Sequence, residues 1–155
     1  MGNDAQPFGR YVVIPRTLCF ITCGERVLLL RRAPDRDLWP NRVNGIGGHV
    51  EAGEDVRSAA LREIAEETGL AVTDLRLRGV VHICADPQRP GVLLFLFTAR
   101  ALTDEVRPSP EGDLIWVHPE RLEGLEVMDD LPALLSRVLG MGDDDPPFFA
   151  RHDRG

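Results

Sequence analysis

The chain alternates short apolar runs with polar, turn-rich breaks, and only two stretches repeat at helical spacing. Residues 11–23, YVVIPRTLCFITC, are rich in β-branched side chains and predict a strand interrupted by Pro15. Gly24-Glu25 breaks the run and Arg26–Arg32 resumes it through Val27-Leu28-Leu29-Leu30, so the two predict a hairpin. Residues 33–44 carry two prolines and several turn formers and predict an exposed loop, with a short strand through Ile46 and Val50 after it. Two long strands are expected at 75–85 and 91–101, joined by Asp86-Pro87-Gln88-Arg89-Pro90. A polar loop over 102–113 then leads to a short strand, Leu114 to Val117.

The first helical stretch is predicted from Asp55 or Val56 to Thr68, with Asp55 as its cap and Gly69 as its terminator. Its apolar stripe is Ala60, Leu61, Ile64 and Ala65. The second is predicted over about 129–139, with Asp129 or Asp130 near its start and Leu131, Leu134, Leu135 and Val138 as its stripe. The segment from Gly140 onward, with Asp143-Asp144-Asp145-Pro146-Pro147, is expected to be irregular, its Phe148-Phe149 pair folding back onto the rest. A length of 155 residues and an apolar share of 43% suit a single domain over 1–155, its core about 10–140 and its tail 141–155. The order strands, helix, strands, helix suits the α+β class, a mixed β-sheet between helices in an α/β/α sandwich.

The first helix carries the chemistry. Glu63, Glu66 and Glu67 stand at i, i+3 and i+4 and so share one face, where like charges destabilise one another. A solvated acidic face is the ordinary reading of such a stretch. Three details weigh against it. The opposite face is apolar; the chain contains no lysine to pair with these glutamates; and the helix is approached through Asn44-Gly45-Ile46-Gly47-Gly48 and then Gly53. Glycines there let backbone approach a ligand closely or turn tightly. A cluster of oxygen-bound divalent cations would offset the repulsion.

The spacing Gly48, Glu54, Arg62-Glu63, Glu66-Glu67, Gly69, with Ile64 and Leu70 as apolar sites, resembles the signature box of the Nudix hydrolases at every specified position over 23 residues. The resemblance implies the Nudix fold and metal-dependent cleavage of a nucleoside diphosphate linkage, with Mg²⁺, or Mn²⁺ in its place, as cofactor. It implies that Glu63, Glu66, Glu67 and the carbonyl of Gly47 bind metal, and that Arg62 orients the glutamates. Glu54 is expected to pair with Arg62. Glu105, Glu111 and Asp113 are candidates for a further acidic ligand, and Arg31 or Arg32 for a phosphate contact.

Substrate choice lies outside the box. The run Asn44-Gly45-Ile46-Gly47-Gly48, Trp116 and the Asp129-Asp130 pair resemble the base-recognising residues of the 8-oxo-dGTP diphosphatases. That resemblance implies an oxidised purine nucleoside triphosphate, read by Asn44, Asp129 and Asp130 and stacked on Trp116. ADP-ribose or another nucleotide sugar, an RNA 5′ end, and a catalytically silent ligand sensor are the alternatives.

The net charge of −7 argues against polymeric nucleic acid and anionic membrane as partners, and leaves a small-molecule nucleotide bridged by cations. No apolar run reaches the ~18 residues of a membrane span, and MGNDAQPFGR has no hydrophobic signal core. Cys19, Cys23 and Cys84 have no disulfide or zinc spacing and are expected to be buried thiols of a cytoplasmic enzyme.

Overall fold

The computed structural model describes residues 9–153, so the first residues of MGNDAQPFGR lie outside the described residues. The elements run β1 (Val13–Cys23), β2 (Arg26–Arg32), β3 (Val43–Asn44), β4 (Ile46–His49), α1 (Val56–Thr68), β5 (Val72–Ile83), β6 (Gly91–Ala101), β7 (Gly112–Val117), α2 (Leu131–Leu139) and β8 (Phe148–His152). The strands form one mixed sheet in the order β3-β2-β1-β6-β5-β8, with β4 pairing β1 and β7 pairing β2.

The sheet forks beside β1. Its Ile21–Cys23 end pairs with β2, while Arg16–Cys19 pairs with β4 on the same side. Between β3 and β4 the chain therefore crosses from β2 to β1, and it does so at Gly45. A side chain there would run into the Phe20 ring and the Cys19 carbonyl. Gly47 is as constrained, because its Cβ would strike the Thr17 carbonyl. These glycines make room for β1.

Side chains alternate across the sheet and give it two cores. Leu18, Phe20, Val27, Leu29, Val43, Val81 and Leu96 face α2, which buries Leu131, Leu134, Leu135 and Val138 against them. Cys19, Ile21, Leu28, Leu30, Ile46 and Phe97 face α1. Burial pushes the Cys19 thiol up to about 12, whereas Cys23 and Cys84 are only half-buried.

Helix α1 begins and ends as its sequence predicts. The Asp55 carboxylate accepts from the Ser58 N–H at 2.8 Å. Gly69 closes the helix at φ 73°, its N–H donating to the Ala65 carbonyl. The predicted stripe is rotated, however. Ala59, Ala60, Ile64, Glu67 and Thr68 are the buried residues, Leu61 is half-buried and Ala65 is exposed. Helix α2 starts after Asp130, whose side chain makes no capping bond to the helix.

The expectation of an irregular tail is corrected by β8, which runs parallel to β5 from Gly79↔Phe148 to Ile83↔His152. Arg78 and Arg76 donate to the carbonyls of Gly142 and Asp143 and pin the approach. Phe148 then fills the space left by the missing side chain of Gly79, with the Arg137 guanidinium 3.6 Å from its ring centroid. Among the described residues no helix is long and apolar enough to cross a membrane.

Candidate active site

One end of the site is the seam between β4 and the acidic face of α1. Gly48 lies opposite Thr17 on β1, and the Glu63 carboxylate occupies the place its side chain would take. The glycine thus brings the carboxylate against the strand. Arg62 ties the seam together. Its Nε and Nη2 donate to the two oxygens of Glu54 at 3.0 and 2.7 Å. Nη1 donates to Glu63 at 2.9 Å and Glu66 at 3.3 Å, and Nη2 also reaches the His49 carbonyl at 3.0 Å. Glu54 in turn accepts from the Glu51 N–H, which closes the loop before the helix. Such a forked, multiply bonded guanidinium is a rigid bracket, and it holds the Glu54 carboxyl below the usual range.

Glu67 differs from its neighbours. It is 8% exposed, and its Oε2 is buried with no hydrogen-bond partner. Burial, then the charges of Glu63, Glu111 and Glu66, push its carboxyl up to about 7, with Arg32 opposing. Glu63 is also raised, by burial first, although Arg62 pulls the other way. Of the three outside carboxylates suggested by the sequence, Glu111 is the one whose charge acts on both Glu63 and Glu67. It is held by Arg36 at 3.2 Å. Asp113 stands opposite Arg31 on the β2–β7 pair, and Glu105 is exposed. Arg32 is bound to the Leu38 carbonyl at 2.8 Å, which fixes the loop before β3 beside the carboxylates.

Of the base-recognising candidates, Trp116 lies apart from the Asp129-Asp130 pair. Asn44 pairs with Leu30 and its Oδ1 accepts from the Gly45 N–H at 2.9 Å. The Val43 backbone bonds to Glu126 and Met128, which brings the segment before α2 alongside. Asp129 is exposed and bound to Arg42 at 2.9 Å, while Asp130 is half-buried with the His152 Nδ1 at 3.9 Å. Trp116 is on the wrong face. It lies opposite Leu28 in the β2–β7 register and so packs into the core under α1, whereas Asp129-Asp130 lead into α2 across the sheet. Its Nε1–H donates to the Asp104 carbonyl at 2.9 Å, and Arg26 covers its ring. Stacking on a base together with the aspartate pair is therefore excluded for Trp116.

The NUDIX domain family model matches residues 14–136. The chain belongs to the Nudix family. It is 34% identical over 109 residues to the uncharacterized Nudix hydrolase YvcI of Bacillus subtilis, a match covering 64% of this chain and 63% of that protein. It is 40% identical over 67 residues to the NAD-capped RNA hydrolase NudC of Mycobacterium tuberculosis, covering 42% of this chain and 20% of NudC. The chain thus spans less than two thirds of the curated relatives it matches. Among solved structures, a mutator MutT protein from Bacillus halodurans superposes with a TM-score of 0.73 at 25% identity, over 91% of both chains. The mixed sheet with its two helices is the Nudix fold, of the α+β class.

Nudix hydrolases generally use a divalent metal such as Mg²⁺, and the residues of this box fit one. The donors are all oxygens, as a hard cation requires. Glu67 brings a buried oxygen that nothing in the protein satisfies, and the Gly48 cradle sets Glu63 beside β4. Among the described residues no three carboxylates are already gathered as a ligand set, and Arg62 holds one oxygen each of Glu63 and Glu66.

Proposed function

We propose that the chain is a Mg²⁺-dependent pyrophosphohydrolase that cleaves a purine nucleoside triphosphate to the monophosphate and pyrophosphate. The buried, unsatisfied carboxyl of Glu67 among Glu63, Glu66 and Glu111 is the observation that carries this reading. A stable fold tolerates such a cluster at a cost, and a cation relieves it. Glu63, Glu66, Glu67 and the Gly47 carbonyl would hold the metal. When bound, a divalent cation neutralises phosphate oxygens and lowers the pKa of a bound water. The protein's own part is positional. Arg62, bonded to Glu54, fixes the rotamers of Glu63 and Glu66, and Gly48 lets the first of these approach the strand. Arg32, whose charge reaches Glu67, is placed to draw a phosphate towards the carboxylates.

The likeness to a mutator MutT protein over nearly the whole chain supports a triphosphate, and an oxidised purine form belongs among the first substrates to try. NudC is named for NAD-capped RNA, and the local identity to it supports RNA ends as the second reading. The net charge of −7 weighs against that second reading. The deciding experiment incubates the protein and Mg²⁺ with dGTP, 8-oxo-dGTP, ATP, ADP-ribose and NAD-capped RNA, scoring pyrophosphate and monophosphate separately. Pyrophosphate release from a purine triphosphate is expected. Turnover confined to ADP-ribose or capped RNA would replace the triphosphate reading, and no turnover of any substrate would favour a ligand sensor.

A further inference from the structure

Among the described residues, three buried side-chain atoms have no hydrogen-bond partner: the Glu67 Oε2, the Arg42 Nε and the Thr17 Oγ1. Arg42 is held through another of its nitrogens by Asp129. The Thr17 hydroxyl is its side chain's one polar atom, and it bonds to nothing. Thr17 is 2% exposed, yet its hydroxyl neither turns back to its own strand nor reaches another side chain. A buried hydroxyl left unpaired is destabilising, and valine would fill the same place in a strand without that penalty. Threonine is an ordinary strand former, so the sequence carries no mark of this position.

Register and facing locate that hydroxyl. Thr17 alternates with Cys19 and Ile21, which lie in the core under α1. Across the β1–β4 pair it stands opposite Gly48, two residues along from the Cys19–Ile46 pair, whose side chains meet the same helix. Directly opposed side chains on one face of an antiparallel pair stand about 5 Å apart at Cβ. Gly48 has no Cβ, and the Glu63 carboxylate takes its place, with Oε2 2.9 Å from where that Cβ would stand. Hydroxyl and carboxylate are therefore neighbours on one face of the sheet. Arg62 holds the same carboxylate through Oε1 at 2.9 Å. Glu67, one turn along α1 from Glu63, brings the other partnerless oxygen of this face.

We infer that Thr17 is a positioning residue for Glu63: with a divalent cation on the carboxylates, its hydroxyl donates to the Glu63 oxygen that the metal leaves free. The inference rests on the reading of Glu63 as a metal ligand and deepens it. Arg62 serves Glu54, Glu63 and Glu66 at once, so a carboxylate turned off that fork needs a second donor. A carboxylate that gives one oxygen to a cation still accepts a hydroxyl on the other. Such a bond fixes the orientation of a ligating group and strengthens its hold on the metal. The hydroxyl is idle in the metal-free protein and employed in the metal-bound one.

The test compares wild type with Thr17→Val, which keeps the branched shape and deletes the donor, and Thr17→Ser, which keeps the donor. Mn²⁺ binding without substrate, read by electron paramagnetic resonance, should be about tenfold weaker in Thr17→Val, the scale of one lost bond to a charged acceptor. Thr17→Ser should bind Mn²⁺ close to the wild-type level. Metal-free Thr17→Val should unfold at a midpoint equal to or above that of wild type, since a partnerless hydroxyl is removed. Its midpoint should then rise less than that of wild type when Mg²⁺ is added. Wild-type Mn²⁺ affinity in Thr17→Val would overturn the inference. Thr17→Ser as weak as Thr17→Val would also overturn it, by making the methyl group responsible. A lower metal-free midpoint in Thr17→Val would do the same, by making the hydroxyl structural. The two readings fail separately. If wild type binds no Mn²⁺ and Glu66→Gln changes nothing, the metal assignment of the glutamates falls and Thr17 with it. If Glu66→Gln loses Mn²⁺ and Thr17→Val does not, Thr17 alone falls.

Discussion

Helix α2 docks through Leu131, Leu134, Leu135 and Val138, four buried aliphatic side chains, with its one charged residue, Arg137, over the Phe148 ring. Helix α1 docks on the other face of the same sheet through Ala59, Ala60, Ile64 and a carboxylate. The small residues let α1 lie close to the sheet, and its remaining hold comes from Arg62 and from the caps at Asp55 and Gly69. One helix is thus placed mainly by apolar packing. The other gives up apolar area so that Glu63 and Glu67 can face the strand instead of water. Stability and chemistry are assigned to opposite faces, and substitutions on the two faces should separate them.

The sharpest separation is expected at Glu67. Glu67→Gln keeps the shape and removes the buried charge, so turnover should fall by about 10²–10⁴-fold, the range for losing a group that handles charge in the transition state. The metal-free variant should nevertheless unfold at a higher temperature than wild type. The linkage has a definite sign. The folded-state value of Glu67 is raised from 4.5 to about 7, so the folded protein binds this proton more tightly than the unfolded chain does. Its contribution is intact below 4.5 and is lost as the pH rises towards 7. Metal-free wild type should therefore lose stability across that window, added Mg²⁺ should restore it, and Glu67→Gln should show both effects weakened, with Glu63 left to contribute the remainder. Denaturant unfolding at a series of pH values reads this directly. A variant that is both inactive and less stable would make Glu67 a structural residue and dissolve the contrast between the faces.

Leu135→Ala tests the other side. Deleting a fully buried leucine costs about 2–5 kcal/mol through lost transfer energy and the cavity left behind. Denaturant unfolding should register that loss, while kcat measured well below the midpoint should stay within a few-fold of wild type. A collapse of kcat in a folded Leu135→Ala protein would mean that α2 sets the geometry of the glutamates, against the division drawn above.

The same contrast explains what the sequence could reveal. Helix α1 is legible because its determinants are local: Asp55 caps it, Gly69 ends it, and the motif spaces its carboxylates within two turns. The bounds of β2 and β6 are legible for the same reason, being set off by turn formers on both sides. Strand β8 is not, since its partner β5 lies nearly seventy residues earlier and Phe149 stays in solvent. The glycine run was recognisable as a tight approach, but only the fork beside β1 shows that the approaching groups are the Phe20 ring, the Thr17 carbonyl and the Glu63 carboxylate.

Trp116 is the case in which facing decides function, and it gives the smallest expected effect. A one-residue change of register would have turned it towards α2 and the Asp129-Asp130 pair. The pairing of Leu28 with Trp116 turns it towards α1 instead, where its indole N–H meets the Asp104 carbonyl. Trp116→Phe keeps most of the packing and deletes that bond, so a loss of about 1 kcal/mol is expected. The ratio of kcat/KM for 8-oxo-dGTP to that for dGTP should not move. A change in that ratio, with stability untouched, would place the indole at the substrate and require the β2–β7 register to differ in the working enzyme.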